Sequence, residues 1–66
     1  MKNSQYFTDM VEFAVLHFCW NYRIKNIAKI AKKQENYIGA LLSAALENKK
    51  VMQMVNSINR AKELGF

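Results

Sequence analysis

The sequence predicts an all-α fold, a small bundle of three to four helices that pairs into a dimer, and three observations carry that prediction. The 66 residues include no proline and only two glycines, so the chain has almost no turn punctuation. Ala, Leu, Met, Lys and Glu, which lose little freedom on entering a helix, recur throughout. Apolar residues return at spacings of three and four in successive runs. The dimer follows from size: a chain this short buries only about 60% of the surface that its unfolded form exposes. Cys19 is the sole cysteine, which excludes an internal disulfide, and a zinc site would have only His17 and Cys19 besides carboxylates. Oligomerisation is the remaining way to support so small a core.

The first helix is expected over about residues 4–22. Asn3 or Ser4 can cap it, and Asp9 with Glu12 repeats the capping-box spacing one turn later. At 100° per residue, Gln5, Thr8, Asp9 and Glu12 share a polar sector, while the apolar residues from Tyr6 to Tyr22 cover an arc of roughly 220°. A surface helix needs an apolar stripe of only about 100° or somewhat more, so this one is expected to pack on two sides. His17 and Asn21 fall inside the arc, where a backbone carbonyl or Asn21 itself would satisfy the histidine. Cys19 reads as a small, partly buried filler.

A short helix over about 24–32 sets Ile24, Ile27, Ala28 and Ala31 on one face. Lys25, Lys29, Lys32 and Lys33 lie opposite or at its end, where cations suit the helix dipole. A turn over Gln34, Glu35 and Asn36 follows, with Asn36 as the expected cap of a third helix over about 37–47 that turns Ile38, Leu41, Leu42 and Ala45 inward. Gly39, Ala40 and Ala44 keep that helix light and open to close approach. Glu47 to Lys50 reads either as a short turn with Asn48 left-handed, the favoured reading, or as the wet face of one long helix. A last helix over about 50–64 lines up Val51, Met54, Val55, Ile58, Ala61 and Leu64. Leu64 and Phe66 would close over the core or fray with Gly65.

Charge divides the chain. Residues 1–22 hold Lys2 against Asp9 and Glu12, whereas residues 23–50 hold Arg23, Lys25, Lys29, Lys32, Lys33, Lys49 and Lys50 against Glu35 and Glu47. A segment so basic suits a polyanion such as nucleic acid, and equally suits plain solvation of a small helical protein. No apolar run approaches the ~18 residues of a membrane span, and no signal-peptide pattern opens the chain, so a cytoplasmic protein without membrane contact is expected. Nucleotide loops, zinc-protease motifs and nucleophile elbows do not occur, so neither an enzyme nor a cofactor is expected.

Ile24-Lys25-Asn26-Ile27-Ala28-Lys29-Ile30-Ala31 resembles the first half of the helix-turn-helix of lac-repressor-type regulators, and its Ile-Ala-x-x-Ala core is similar to the tetracycline-repressor type. The resemblance covers Ile24 to Leu42, with Ala28 where the two helices would touch and Ile38 and Leu41 as anchors of the second. Lys32 stands where these families place the turn glycine, a position a lysine adopts at some strain. The resemblance implies a transcriptional regulator that binds double-stranded DNA. It implies phosphate contacts from Lys25, Lys29, Lys32 and Lys33, joined by Lys49 and Lys50, and base contacts from Gln34, Asn36, Tyr37, Ala40 and Ser43. Gln and Asn can pair with adenine edges and Ala can meet a thymine methyl. The surface left for a second copy or a protein partner is expected to involve Tyr6, Phe13, His17, Trp20, Val51, Met54 and Ile58. The competing expectation is a helical protein-interaction module, a small inhibitor or assembly factor, using the aromatic face of helix 1.

Overall fold

A computed structural model describes residues 2–65, with side chains from Gln5 onward. Four α-helices form the bundle: α1 Lys2–Ala14, α2 Ile24–Ala31, α3 Glu35–Leu46 and α4 Lys49–Glu63. A π-helical turn, Val15–Cys19, continues α1 without a break. The third helix is the centre of the molecule, packed against each of the other three. Its inward positions Ile38, Leu41, Leu42 and Ala45 are all buried, as the spacing predicts. Met10, Phe13 and Ala14 meet them from α1, Ile27 and Ala28 from α2, and Val51 and Val55 from α4.

The first helix departs from expectation. It begins by Lys2, so Asn3, Ser4 and Asp9 lie within it and none serves as its cap. Beyond Ala14 its backbone widens, and the Trp20 N–H reaches the Val15 carbonyl at 3.2 Å, five residues back. A π turn accommodates one residue more than an α turn and so shifts the register of the residues after it. Cys19 then falls under Ala14, five residues on, and is buried with its thiol donating to the Val55 carbonyl at 3.5 Å. The broad apolar arc is therefore two narrower faces in different registers. Burial pushes the Cys19 thiol up from its ordinary value, partly offset by the Lys62 charge.

Asn21, left-handed at φ 62, ends this segment. His17 Nδ1 lies 2.8 Å from the Tyr22 carbonyl, which can only accept, so that nitrogen carries the proton. Two donors from α4 complete the end of the π turn: Asn59 Nδ2 donates to the Phe18 carbonyl at 3.5 Å, and Lys62 Nζ to the Cys19 carbonyl. These carbonyls are among those a helix end leaves without an internal partner.

Asp9 is the second departure. Instead of sharing the wet sector with Gln5, Thr8 and Glu12, it is buried at the contact between α1 and α3. There it accepts from Gln5 Nε2 at 2.8 Å and from the Tyr37 hydroxyl at 2.9 Å. The Tyr37 ring meets Phe13 edge-on, with centroids 6.2 Å apart. A buried carboxylate is tolerable when donors replace its lost water, and here they also join two helices.

At the other end, Asn48 is extended at φ −102 and ψ 107, not left-handed, and its side chain accepts the Val51 N–H at 3.2 Å. It is the N-cap of α4, a role for which Asn ranks among the best residues. The expected seam of α4 divides: Val51 and Val55 enter the core, Ile58 and Ala61 are half-buried, and Met54 and Leu64 face out. Phe66 lies outside the described residues. No described helix is long and apolar enough to cross a membrane.

Candidate nucleic-acid interface

The α2–α3 pair owes its shape to two lysines. Lys32 takes the left-handed conformation at φ 58 and ψ 43, the geometry that its place in the turn demands of any residue standing there. The Lys33 N–H then reaches the Ala28 carbonyl at 3.0 Å and the Lys32 N–H the Lys29 carbonyl at 3.3 Å. This is a Schellman closure, usually built with glycine at the left-handed position. Lys33 and Gln34 carry the chain into α3, and the Gln34 carbonyl accepts the N–H groups of Tyr37 and Ile38 at 3.1 and 3.2 Å. The helix starts at Glu35, two residues earlier than expected. Asn36 is accordingly inside the first turn and Gln34 holds the cap position, without a side-chain hydrogen bond.

Between the two helices lies an open groove of ≈ 540 Å³ lined by Lys25, Ala28, Lys29, Lys33, Gln34, Glu35 and Asn36. Lys25 and Lys29 stand one turn apart on α2. Lys33 extends over the Tyr37 ring, with Nζ 5.5 Å from the centroid. Glu35, in the first turn of α3, sits where the helix dipole favours an acid. The N–H groups of Glu35 and Asn36, ahead of those that the Gln34 carbonyl engages, have no partner inside the helix, and together with the lysines they suit an anion.

The residues expected to bind separate into groups. Lys25, Lys29 and Lys33 share the groove, and Lys32 is exposed at the turn beside it. Lys49 and Lys50 open α4 elsewhere, Lys50 lining a different groove between α1 and α4. Gln34 and Asn36 flank the basic groove, and Asn36, Ala40 and Ser43 form an exposed stripe along α3 at spacings of four and three. Gly39 lies near that stripe, and a Cβ built there would meet nothing within 4 Å. Tyr37 is half-buried, with its hydroxyl engaged by Asp9. That hydrogen bond, together with burial, pushes the Tyr37 phenol above its ordinary value.

Of the residues expected at a protein interface, Phe13 and Val51 are used inside the chain's own core. His17 and Ile58 are half-buried, while Tyr6, Trp20 and Met54 are exposed. Trp20 carries Lys62 on its ring, with Nζ 4.3 Å from the centroid. Sequence reasoning missed the α1 side of the second groove, Phe7, Val11 and Val15, although their regular spacing of four is a readable signal. Among the described residues, no cluster of three or more His, Cys, Asp or Glu side chains could hold a metal ion. In comparisons with known proteins, no family model, curated protein or solved structure matches the chain.

Proposed function

We propose that this chain is a small, dimeric helix-turn-helix protein that binds double-stranded DNA in the cytoplasm and regulates transcription. One observation carries the reading: the left-handed Lys32 turn gathers Lys25, Lys29 and Lys33 about the start of a helix whose exposed stripe is Asn36, Ala40 and Ser43. In this reading α3 lies in the major groove, where Asn36 reads a base edge and Ala40 and Ser43 allow close approach. The lysines neutralise flanking phosphates, and the resemblance of Ile24 to Ala31 to repressor-type regulators points the same way.

Fluorescence anisotropy with duplex DNA over a range of salt concentrations tests it. Each neutralised phosphate contributes about 0.9 to the slope of log affinity against log salt. Replacing both Lys29 and Lys33 with alanine is expected to weaken binding across sequences and lower that slope by about 2. Absence of duplex binding at low salt would overturn the reading.

Tyr6 and Trp20, 47% and 52% exposed, favour a second reading in which the aromatic residues of the first helix engage another protein. A defined partner whose binding is lost on Tyr6→Ser and Trp20→Ser, with no DNA affinity, would replace the first reading with this one.

A further inference from the structure

The flank of the bundle formed by α1 and α4 carries a groove that the DNA reading leaves unused. Val11 and Val15 stand on one side, Met54 and Ile58 on the other, around a space of ≈ 460 Å³. It continues into a second hollow of ≈ 290 Å³ toward Phe7, with Val11 and Met54 lining both. Met54 is 42% exposed there, a flexible apolar side chain of the kind that adapts to a partner.

We propose that a second copy of this chain fills the groove, with α1 of one copy lying along α4 of the other about a two-fold axis parallel to the groove. The area suits a partner of this size. The chain exposes 5137 Å², against about 4,300 Å² for a compact monomer of 7.7 kDa. The excess, about 800 Å², matches one partner's share of a standard interface.

Charge selects the arrangement. Glu12 stands on the α1 wall and Lys50 on the α4 wall. Asp9 is buried against α3, so Glu12 is the acid that the first helix offers on this flank, whereas α4 sets Lys49, Lys50, Arg60 and Lys62 against Glu63. Laying α1 on the other copy's α4 brings the acidic helix to the basic one, and the two-fold axis repeats the match. Laying α1 on α1 sets like against like. This inference rests on the dimeric part of the function proposed above and is independent of DNA binding.

Sedimentation equilibrium of the full chain without nucleic acid tests it, leaving the DNA reading to its own assay. A dimer is expected, with Met54→Asp raising its dissociation constant at least about 100-fold while the helical circular dichroism persists. Because Met54→Asp could also perturb folding, a charge exchange supplies the second arm. Glu12→Lys or Lys50→Glu alone weakens the dimer about tenfold through two exposed pairs, and the double variant restores it. A wild-type monomer at millimolar concentration, or a dimer indifferent to Met54→Asp, would overturn the proposal. Failure of the double exchange to restore association would overturn the pairing of α1 with α4.

Discussion

Asn21 and Lys32 hold the same left-handed backbone conformation, at φ 62 and φ 58, yet the helix ends they close are supported differently. The Lys32 turn is local: its hydrogen bonds run back to Ala28 and Lys29 on the same helix. The Asn21 end adds tertiary bonds to its local ones: the Tyr22 N–H returns to the Leu16 carbonyl at 2.9 Å, while Asn59 and Lys62 of α4 satisfy the Phe18 and Cys19 carbonyls from across the bundle. The turn after α2 thus closes on α2 alone, while the end of the first helix also draws on α4.

One-residue deletions should separate the two regions most strongly. Removing Asn26 from α2 rotates Ile24 away from Ile27 and Ala28 by about 100°, taking an apolar contact out of the core. The expected cost is about 2–3 kcal/mol, a large share of the stability of a domain this small, as a urea titration would show. Removing Leu16 from the π turn lets the segment close as α-helix with Cys19 still under Ala14. That deletion should cost only about 1–2 kcal/mol, chiefly the half-buried leucine. Equal losses from the two deletions would show that the extra residue does not set the register of Cys19.

Lys32→Gly comes next and has the opposite sign. A left-handed non-glycine residue bears about 1–2 kcal/mol of steric strain, which glycine avoids at some cost in chain entropy. A net gain of about 1 kcal/mol is expected, raising the melting temperature by about 4–8 °C. Asn21→Gly at the corresponding position should gain only a few tenths of a kcal/mol, since asparagine already tolerates this conformation.

Tyr37 sharpens the contrast from the side of α3. Its phenol is raised by the Asp9 hydrogen bond and by burial, so the stabilisation it gives is complete below the ordinary tyrosine value. It fades as pH climbs through the raised value, when phenolate and carboxylate would face each other. Thermal melts in alkaline buffer should therefore fall more steeply for the wild type than for Tyr37→Phe. At neutral pH the variant should melt a few degrees lower, because Asp9 keeps only Gln5 as a side-chain donor.

Much of this fold was legible because helical periodicity reports burial. Ile27 with Ala28, Ile38 with Leu41 and Leu42, and Val51 with Val55 all went where their spacing sends them. The π turn was not legible, because a helical wheel assumes one period throughout, and an inserted residue merely broadens the apolar arc. Asp9 was misplaced because its partner, Tyr37, is 28 residues away in sequence and turns a polar position into a buried contact. In the candidate site, the clustering of Lys25, Lys29 and Lys33 follows from spacing and the turn. The engagement of the Tyr37 hydroxyl does not, since nothing local marks that ring as facing α1. Asn36 illustrates a finer limit, for a backbone carbonyl began the helix two residues before the best capping side chain.

The seating of Lys62 on Trp20 also gives the molecule a native optical probe. Trp20 is the only tryptophan, half-exposed, with a cation 4.3 Å from its ring centre and the same ammonium bonded to the neighbouring Cys19 carbonyl. A charge so close to an indole shifts and quenches its emission, and the contact exists only while the last turn of α4 is docked on the first helix. Intrinsic fluorescence therefore reads the closure of that one joint. In a denaturant titration, an emission change ahead of the helical signal would show that this end of the bundle opens first, and coincident changes that it opens with the rest.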